Sequence, residues 1–248
     1  MIVLRSDDEI RLIRQAGSIL AEALEKLKRS VKPGVRTKDL DAIARDEIIK
    51  RGGYPAFKDY KGFPANICVS INEAVVHGIP SNRKIKDGDI VSIDIGVKFK
   101  DYFADAAITV AAGRISDTAQ KLIDVTEKAL YIGIENALSG NRISDVSNSI
   151  QAHVESNGFS VVRALVGHGI GARLHEEPEV PNYGRPGTGP KIEPGMVLAI
   201  EPMVNEGAFD VETLEDGWTT ITKDRSLSAH FEHTIAVREE KAEILTLL

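Results

Sequence analysis

Two stretches of this chain repeat one another in order. GVRTKDLDAI from Gly34 aligns with GNRISDVSNS from Gly140, 106 residues on. Under that alignment Gly34, Arg36, Asp39 and Gly52 meet Gly140, Arg142, Asp145 and Gly158. Further along, the stretch around Gly88 aligns with that around Gly195, and Asp94 then meets Glu201, both 107 residues apart. The tripeptide HGI also occurs twice, at His77 and His168. A unit duplicated at this length restricts the fold to two related halves facing one another. They run over roughly 34–110 and 140–240 of a single domain spanning 1–248.

The local patterns fill in that frame. Ser6 and Glu9 have the spacing of a helix capping box. Behind them Ile10, Ile13, Gly17, Leu20, Leu24 and Leu27 recur at helical intervals until KPG at 32–34. A second helix is expected from Thr37 to Arg51, closed by Gly52 and Gly53, and two more at 117–137 and 144–157. Strand-like runs are NICVSINEAVV, DIVSIDIGV, YFADAAITV, SVVRALV, MVLAIEPMV, WTTIT, HFEHTIAV and EILTLL. Helix pairs alternating with strand runs predict an α/β or α+β domain with antiparallel pairing and no dividing linker.

The strands carry residues that do not belong in a core. Asp94 and Asp105 lie in VSIDIGVKFKDYFADAAITV, which reads as a hairpin turning at Phe99–Lys100. That register makes the two aspartates direct cross-strand neighbours on one face, where like charges repel. Their face also carries Ser92, Gly96, Phe103, Ala107 and Thr109, mostly small or polar, which leaves room for something else. Glu201 in VLAIEPMV and Glu232 in HFEHTIAV have the same character, and His168 in LVGHGIG is flanked by glycines that would let a ligand approach.

Any one of these residues has an ordinary explanation, such as an edge, a turn or a hydrogen-bonded core histidine. Five of them in apolar strands, with no comparable set of Lys or Arg to pair with, do not. Four carboxylates and one imidazole form a hard, oxygen-rich ligand set that suits divalent first-row ions. Two such ions neutralise four carboxylates, whereas one would leave a double negative charge in a poor dielectric.

Bulk properties exclude other classes. A formal net charge of −6 argues against nucleic acid or an anionic membrane as the main partner. Cys68 is the only cysteine, so there is no intrachain disulfide and no cysteine-based zinc site. The N-terminus lacks the apolar core of a signal peptide and no run reaches the ~18–20 apolar residues of a membrane span, so a cytoplasmic protein is expected.

Taken in order, CVSINEAVVHGIP (68–80), the Asp94 and Asp105 pair, GHGIG with LHEEP (167–178), EPGMVLAIEPM (193–203) and DGWT with SLSAHFEHT (216–234) resemble the type I methionine aminopeptidases over nearly the whole chain. The resemblance implies the α+β pita-bread fold, with two pseudo-symmetric halves, a curved antiparallel sheet and helices on its outer face. It implies the short form, without an amino-terminal zinc-binding extension. The 33 residues from His168 to Glu201 leave no room for the helical insert of type II enzymes. By resemblance, Asp94, Asp105, His168, Glu201 and Glu232 would be ligands to two divalent ions, which Co, Mn, Fe, Ni or Zn could all supply. Asp105 and Glu232 would bridge, Asp94 would hold one ion, and His168 and Glu201 the other. His77 and His175 would stand beside the metals without ligating them, and Phe57, Tyr60, Phe63, Cys68 and Trp218 would surround the methionine side chain. Phe57, Leu174 and His230 depart from the commonest pattern of the family.

The activity so implied is removal of the first methionine, before a small residue, from nascent chains near the ribosome, by a monomer. Ion-activated hydroxide would attack the first peptide bond, His175 would donate to the oxyanion, and Glu201 would relay the proton. The alternatives are an X-Pro aminopeptidase or prolidase of the same fold, and a non-catalytic peptide-binding homologue. An iron-dependent oxygenase would want two His and one carboxylate.

Overall fold

The computed structural model describes residues 1–247. Four helices account for the long periodic segments: α1 (Asp7–Ser30), α2 (Thr37–Lys50), α3 (Asp117–Asn136) and α4 (Ile143–Ser156). The capping box at the start of α1 is formed, with the Ser6 hydroxyl accepting from the Glu9 N–H and the Glu9 carboxylate accepting from the Ser6 N–H.

Helices α2 and α4 begin in the same way. The N–H groups of Arg36 and Arg142 donate to the carboxylates of Asp39 and Asp145. Just upstream, Gly34 and Gly140, with φ of 93° and 95°, donate their N–H groups to the carbonyls of Ile85 and Ile192. Only glycine adopts that left-handed conformation without strain. The residues matched between the two sequence stretches are thus the ones that build matching turns.

The strands are β1 (Tyr54–Pro55), β2 (Cys68–Ile71), β3 (Ala74–Val76), β4 (Asp89–Phe99), β5 (Tyr102–Ala112), β6 (Ser160–Val161), β7 (Gly167–Gly169), β8 (Glu176–Val180), β9 (Val197–Ile200), β10 (Met203–Asn205), β11 (Val211–Thr213), β12 (Thr220–Thr222), β13 (Ser228–His230), β14 (Glu232–Val237) and β15 (Ala242–Ile244). The main antiparallel sheet runs β1-β4-β5-β14-β9-β7-β8, with β2 also on β4 and β15 also on β14. Two small sheets, β13-β10-β6 and β11-β12-β3, sit beside it.

Alternation along the strands separates core from site. Ile93, Ile95 and Val97 of β4, with Ala104 and Ala106 of β5, join Ile10, Leu20 and Leu24 of α1 in one buried cluster. Leu198 and Ile200 of β9, with Ile235 and Val237 of β14, join Leu122, Leu130 and Ile150 of α3 and α4 in another. The helices therefore cover one face of the sheet, and the intervening residues point to the other.

The structure corrects several expectations. The hairpin turns at Lys100–Asp101, not Phe99–Lys100, because Phe99 pairs with Tyr102. Asp94 then faces Ala107, and Asp105 faces Gly96. The aspartates are diagonal neighbours, ~7–8 Å apart in such a pairing rather than ~5 Å, still on one face. The runs MVLAIEPMV and HFEHTIAV each divide in two, at Glu201–Pro202 and at Phe231, where the chain passes between the main sheet and a small one. SVVRALV is extended as a strand only at Ser160–Val161. The glycines beside His168 serve strand packing: a Cβ on Gly167 would lie 2.4 Å from the Ala199 carbonyl oxygen, and one on Gly169 would lie 2.2 Å from that of Glu177. Of EILTLL, only Glu243 and Ile244 lie in the strand, which begins at Ala242, and Leu248 lies outside the described residues.

Candidate metal centre

Five adjacent strands of the main sheet each bring one unusual side chain to the same face. Asp94 is on β4, Asp105 on β5, Glu232 at the start of β14, Glu201 just past the end of β9, and His168 on β7. The registers arrange them in two neighbouring rows. Asp94 and Glu232 both pair with Ala107, and carrying the β14–β9 register one residue on sets Glu201 opposite Glu232. The second row holds Gly96 and Asp105, then Thr234 and Ala199, then His168. Each acid thus alternates along its strand with a small residue, Gly96, Ala107, Ala199 or Thr234, and space is left above the sheet.

Several contacts position these residues. The Thr234 hydroxyl accepts from the Asp105 N–H at 2.9 Å and donates to the Asp105 carbonyl at 2.8 Å. Nδ1 of His168 is 2.9 Å from the carbonyl oxygen of Gly169, an acceptor only, so Nδ1 carries the hydrogen and Nε2 offers its lone pair to the site. Nε2 lies 3.6 Å from Oε1 of Glu201, whose backbone carbonyl accepts from Asn182.

The electrostatics show what is lacking. Burial pushes the Asp94 carboxyl up to about 7, while hydrogen bonds with Asp105 and Cys68 act against it. The carboxyls of Asp105, Glu201 and Glu232 are pushed well above the usual range, by burial first and by their acidic neighbours second. Asp94 Oδ1, Asp105 Oδ1 and Glu232 Oε1 are buried with no hydrogen-bond partner. Among the described residues no Lys or Arg makes an ion pair with any of the four acids.

Ligand atoms of Asp105, His168 and Glu232 lie within 4.8 Å of one another. Orphaned carboxylate oxygens, one imidazole with a free lone pair and no protein cation fit a divalent metal ion.

Around this floor lies a cavity of about 190 Å³. Phe57, Tyr60, Phe63, Cys68 and Trp218 all line it, as do His77 and His175. Phe63 and Trp218 meet edge to face with centroids 5.2 Å apart, and Trp218 meets His77 at 6.5 Å. Trp218 is held in place where its N–H and that of Thr219 donate to Asp216. His175 stacks on Tyr60 at 5.2 Å, with its Nδ1 2.9 Å from the tyrosine hydroxyl. His77 has φ of 59°, rare for a residue with a side chain.

Every site residue singled out in the sequence therefore comes to one place. Lys61 and Leu174 also line the cavity and carry no sequence signal of chemistry. His230, visible in the sequence only as an unusual residue before Phe231, is buried with its Nε2 3.7 Å from Oε2 of Glu201.

Residues 11–239 match the sequence profile of metallopeptidase family M24. The chain belongs to that family. Within it the resemblance is to methionine aminopeptidases. That of Clostridium perfringens is 55% identical over 248 residues, covering all of both chains. The crystal structure of methionine aminopeptidase from Thermotoga maritima superposes with a TM-score of 0.99 at 45% identity, again over the full length of both. Prolidase from Pyrococcus furiosus has the same fold, with a TM-score of 0.80 at 21% identity, over 99% of this chain and 66% of that one. No helix of the described residues is long and apolar enough to cross a membrane.

Proposed function

We propose that the chain removes the amino-terminal methionine from peptides and newly made proteins, as a cytoplasmic, dinuclear-metal hydrolase. One observation carries this reading: a cluster of four acids and one imidazole, with Asp105, Glu232 and His168 buried and Asp94 and Glu201 nearly so, forms the floor of a small cavity with aromatic walls. Asp94, Asp105, His168, Glu201 and Glu232 would be the protein ligands that hold two divalent ions. Bound there, the ions would supply a hydroxide nucleophile at neutral pH and polarise the scissile carbonyl.

The protein's own part follows from the placement of its side chains. Phe57, Phe63, Cys68 and Trp218 present apolar, polarisable surface to the methionine thioether. The free α-amine would lie on the Asp94 side, next to His77, which explains why a blocked N-terminus would not be cut. Nδ1 of His175 lies 2.9 Å from the Tyr60 hydroxyl. With that hydroxyl as the donor, the hydrogen of the neutral imidazole would sit on Nε2, available to the carbonyl oxygen as negative charge develops there. Glu201 would take the proton of the attacking water and pass it to the leaving amine.

The test is cleavage of Met-Ala-Ser against X-Pro peptides by the purified protein, after reconstitution with Mn, Fe, Co, Ni or Zn in turn and with bound metal counted. Release of methionine from Met-Ala-Ser with close to two ions bound supports the reading. Faster cleavage of X-Pro peptides would make the chain a proline-specific member of the family instead.

A further inference from the structure

We propose that His230 is a positioning residue for Glu201, holding its carboxylate from the side opposite His168. The inference deepens the functional reading above and rests on it. His230 is 1% exposed, and both of its ring nitrogens are buried without a hydrogen-bond partner. Leaving two polar atoms of one core side chain unsatisfied is costly. An apolar residue would avoid that cost, so the imidazole is there for something it meets in the working enzyme.

What it meets is Glu201. The two oxygens of that carboxylate are flanked by two imidazoles: Oε1 lies 3.6 Å from Nε2 of His168, and Oε2 lies 3.7 Å from Nε2 of His230. These two rings are not equivalent. His168 spends its hydrogen on the Gly169 carbonyl, so its Nε2 can only accept. His230 has no such partner, and with its hydrogen on Nε2 it is the ring of the two that can donate to Glu201. A separation of 3.7 Å is too long for a hydrogen bond, and closing it by less than an ångström makes one. Contacts of this kind commonly tighten when a site is occupied.

The backbone beneath His230 is fixed. Its N–H donates to the Thr109 hydroxyl at 2.8 Å and its carbonyl accepts from the same hydroxyl at 2.9 Å, while Ser92 lies 2.8 Å from Thr109 on the far side. The residue also pairs with Met203, two positions from Glu201 and on the strand that continues from it. The ring is therefore held where the sheet puts it, and the carboxylate is the group that adjusts. A donor on Oε2 makes the two glutamate oxygens unequal, leaving Oε1 as the freer one on the His168 side.

The experiment compares His230→Met and His230→Ala, which have no donor, with His230→Gln, which keeps one. Cobalt(II) titrations of the metal-free proteins give ion affinity and the visible spectrum, without reference to turnover. Steady-state kinetics on Met-Ala-Ser give kcat and KM, and melting curves show that each variant is folded. The donor-free variants should bind cobalt about 10-fold more weakly with an altered visible band. They should also lose at least about 10-fold in kcat with KM within about two-fold. His230→Gln should recover most of each. The proposal is overturned if His230→Gln is as defective as His230→Ala, or if a donor-free variant keeps the wild-type spectrum and kcat. Should wild-type protein fail to cleave Met-Ala-Ser, the functional reading falls. The cobalt affinities and spectra would then still decide whether His230 acts on Glu201.

Discussion

The hydroxyl of Thr234 sits between two strands and bonds both backbone groups of Asp105, accepting from its N–H at 2.9 Å and donating to its carbonyl at 2.8 Å. A side chain here does what a neighbouring strand would otherwise do, and it fixes the acid at the centre of the cluster. Thr234→Val keeps the shape and removes both bonds, leaving a buried N–H and carbonyl unsatisfied. We expect a loss of about 1–3 kcal/mol in urea unfolding of the metal-free protein. Metal binding should weaken by about 10-fold. Unchanged unfolding and metal affinity would show that Thr234 does not hold Asp105.

Crowded, buried acids also set how the metal-free protein responds to pH. The folded-state value of Asp94 is raised from 3.8 to about 7, so the folded protein binds more protons than the unfolded chain between those values. The contribution of Asp94 to stability in chelator should therefore be largest near pH 4 and fall as pH rises through 7. The raised carboxyls of Asp105, Glu201 and Glu232 act in the same direction, while the buried imidazoles of His168, His175 and His230, lowered from 6.5 to about 4, 3 and 3, act in the opposite direction as pH falls below 6.5. Asp94→Asn should raise the melting temperature of the metal-free protein at pH 7.5 and reduce the gap between metal-free and loaded forms. Identical melting of the two wild-type forms would contradict the electrostatic account of the cluster.

The pair formed by Tyr60 and His175 makes a separate prediction about catalysis. The hydroxyl contact at 2.9 Å orients the imidazole, and the stacked rings hold its plane. His175→Ala should reduce kcat by about 10²–10³. Tyr60→Phe keeps the stack and loses only the hydroxyl, and should cost about 10-fold. Equal losses in the two variants would mean that Tyr60 does more than orient His175.

Gly96 shapes the cavity from the floor of the sheet. A Cβ there would lie 2.6 Å from a ring carbon of Phe57 and 3.1 Å from the Cβ of Ala56. Gly96→Ala should push the Phe57 ring into the cavity and raise KM for Met-Ala-Ser several-fold with kcat less affected. Metal content should remain that of wild type. A KM that does not move would place the methionine side chain away from Phe57.

Much of this site was legible in the sequence because the chemistry is local to each strand. A carboxylate in an apolar run stands out on its own, and a period of two tells which residues share its face. Asp94 and Asp105 remained on one face although the pairing differed from the expected one, because moving each partner by two residues preserves that parity. The turn itself was misplaced because KFKDY contains no Asn-Gly or Asp-Gly to mark it, and Lys100 takes the left-handed conformation instead. The breaks at Glu201–Pro202 and Phe231 were hidden for another reason. Each lies inside a strand-like run, and only tertiary structure makes the chain change sheets there. His230 was hard to read because its partner, Glu201, is distant in sequence.

Eleven paired residues join β4 to β5, yet β5 and β14 pair only at Ala106–His233 and Ala107–Glu232, with the threonine bridges of Thr234 and Thr109 at either end. That short junction is where the halves of the molecule meet in the main sheet. Asp94 and Asp105 stand on one bank of it, and Glu232, Glu201 and His168 on the other. Ions held by all five would tie across the seam as cross-links, and the reagents of the reaction would double as fasteners of the fold. Loading should then slow amide exchange along β5 and β14 more than in the helices, so that occupancy is felt as stiffness along that seam.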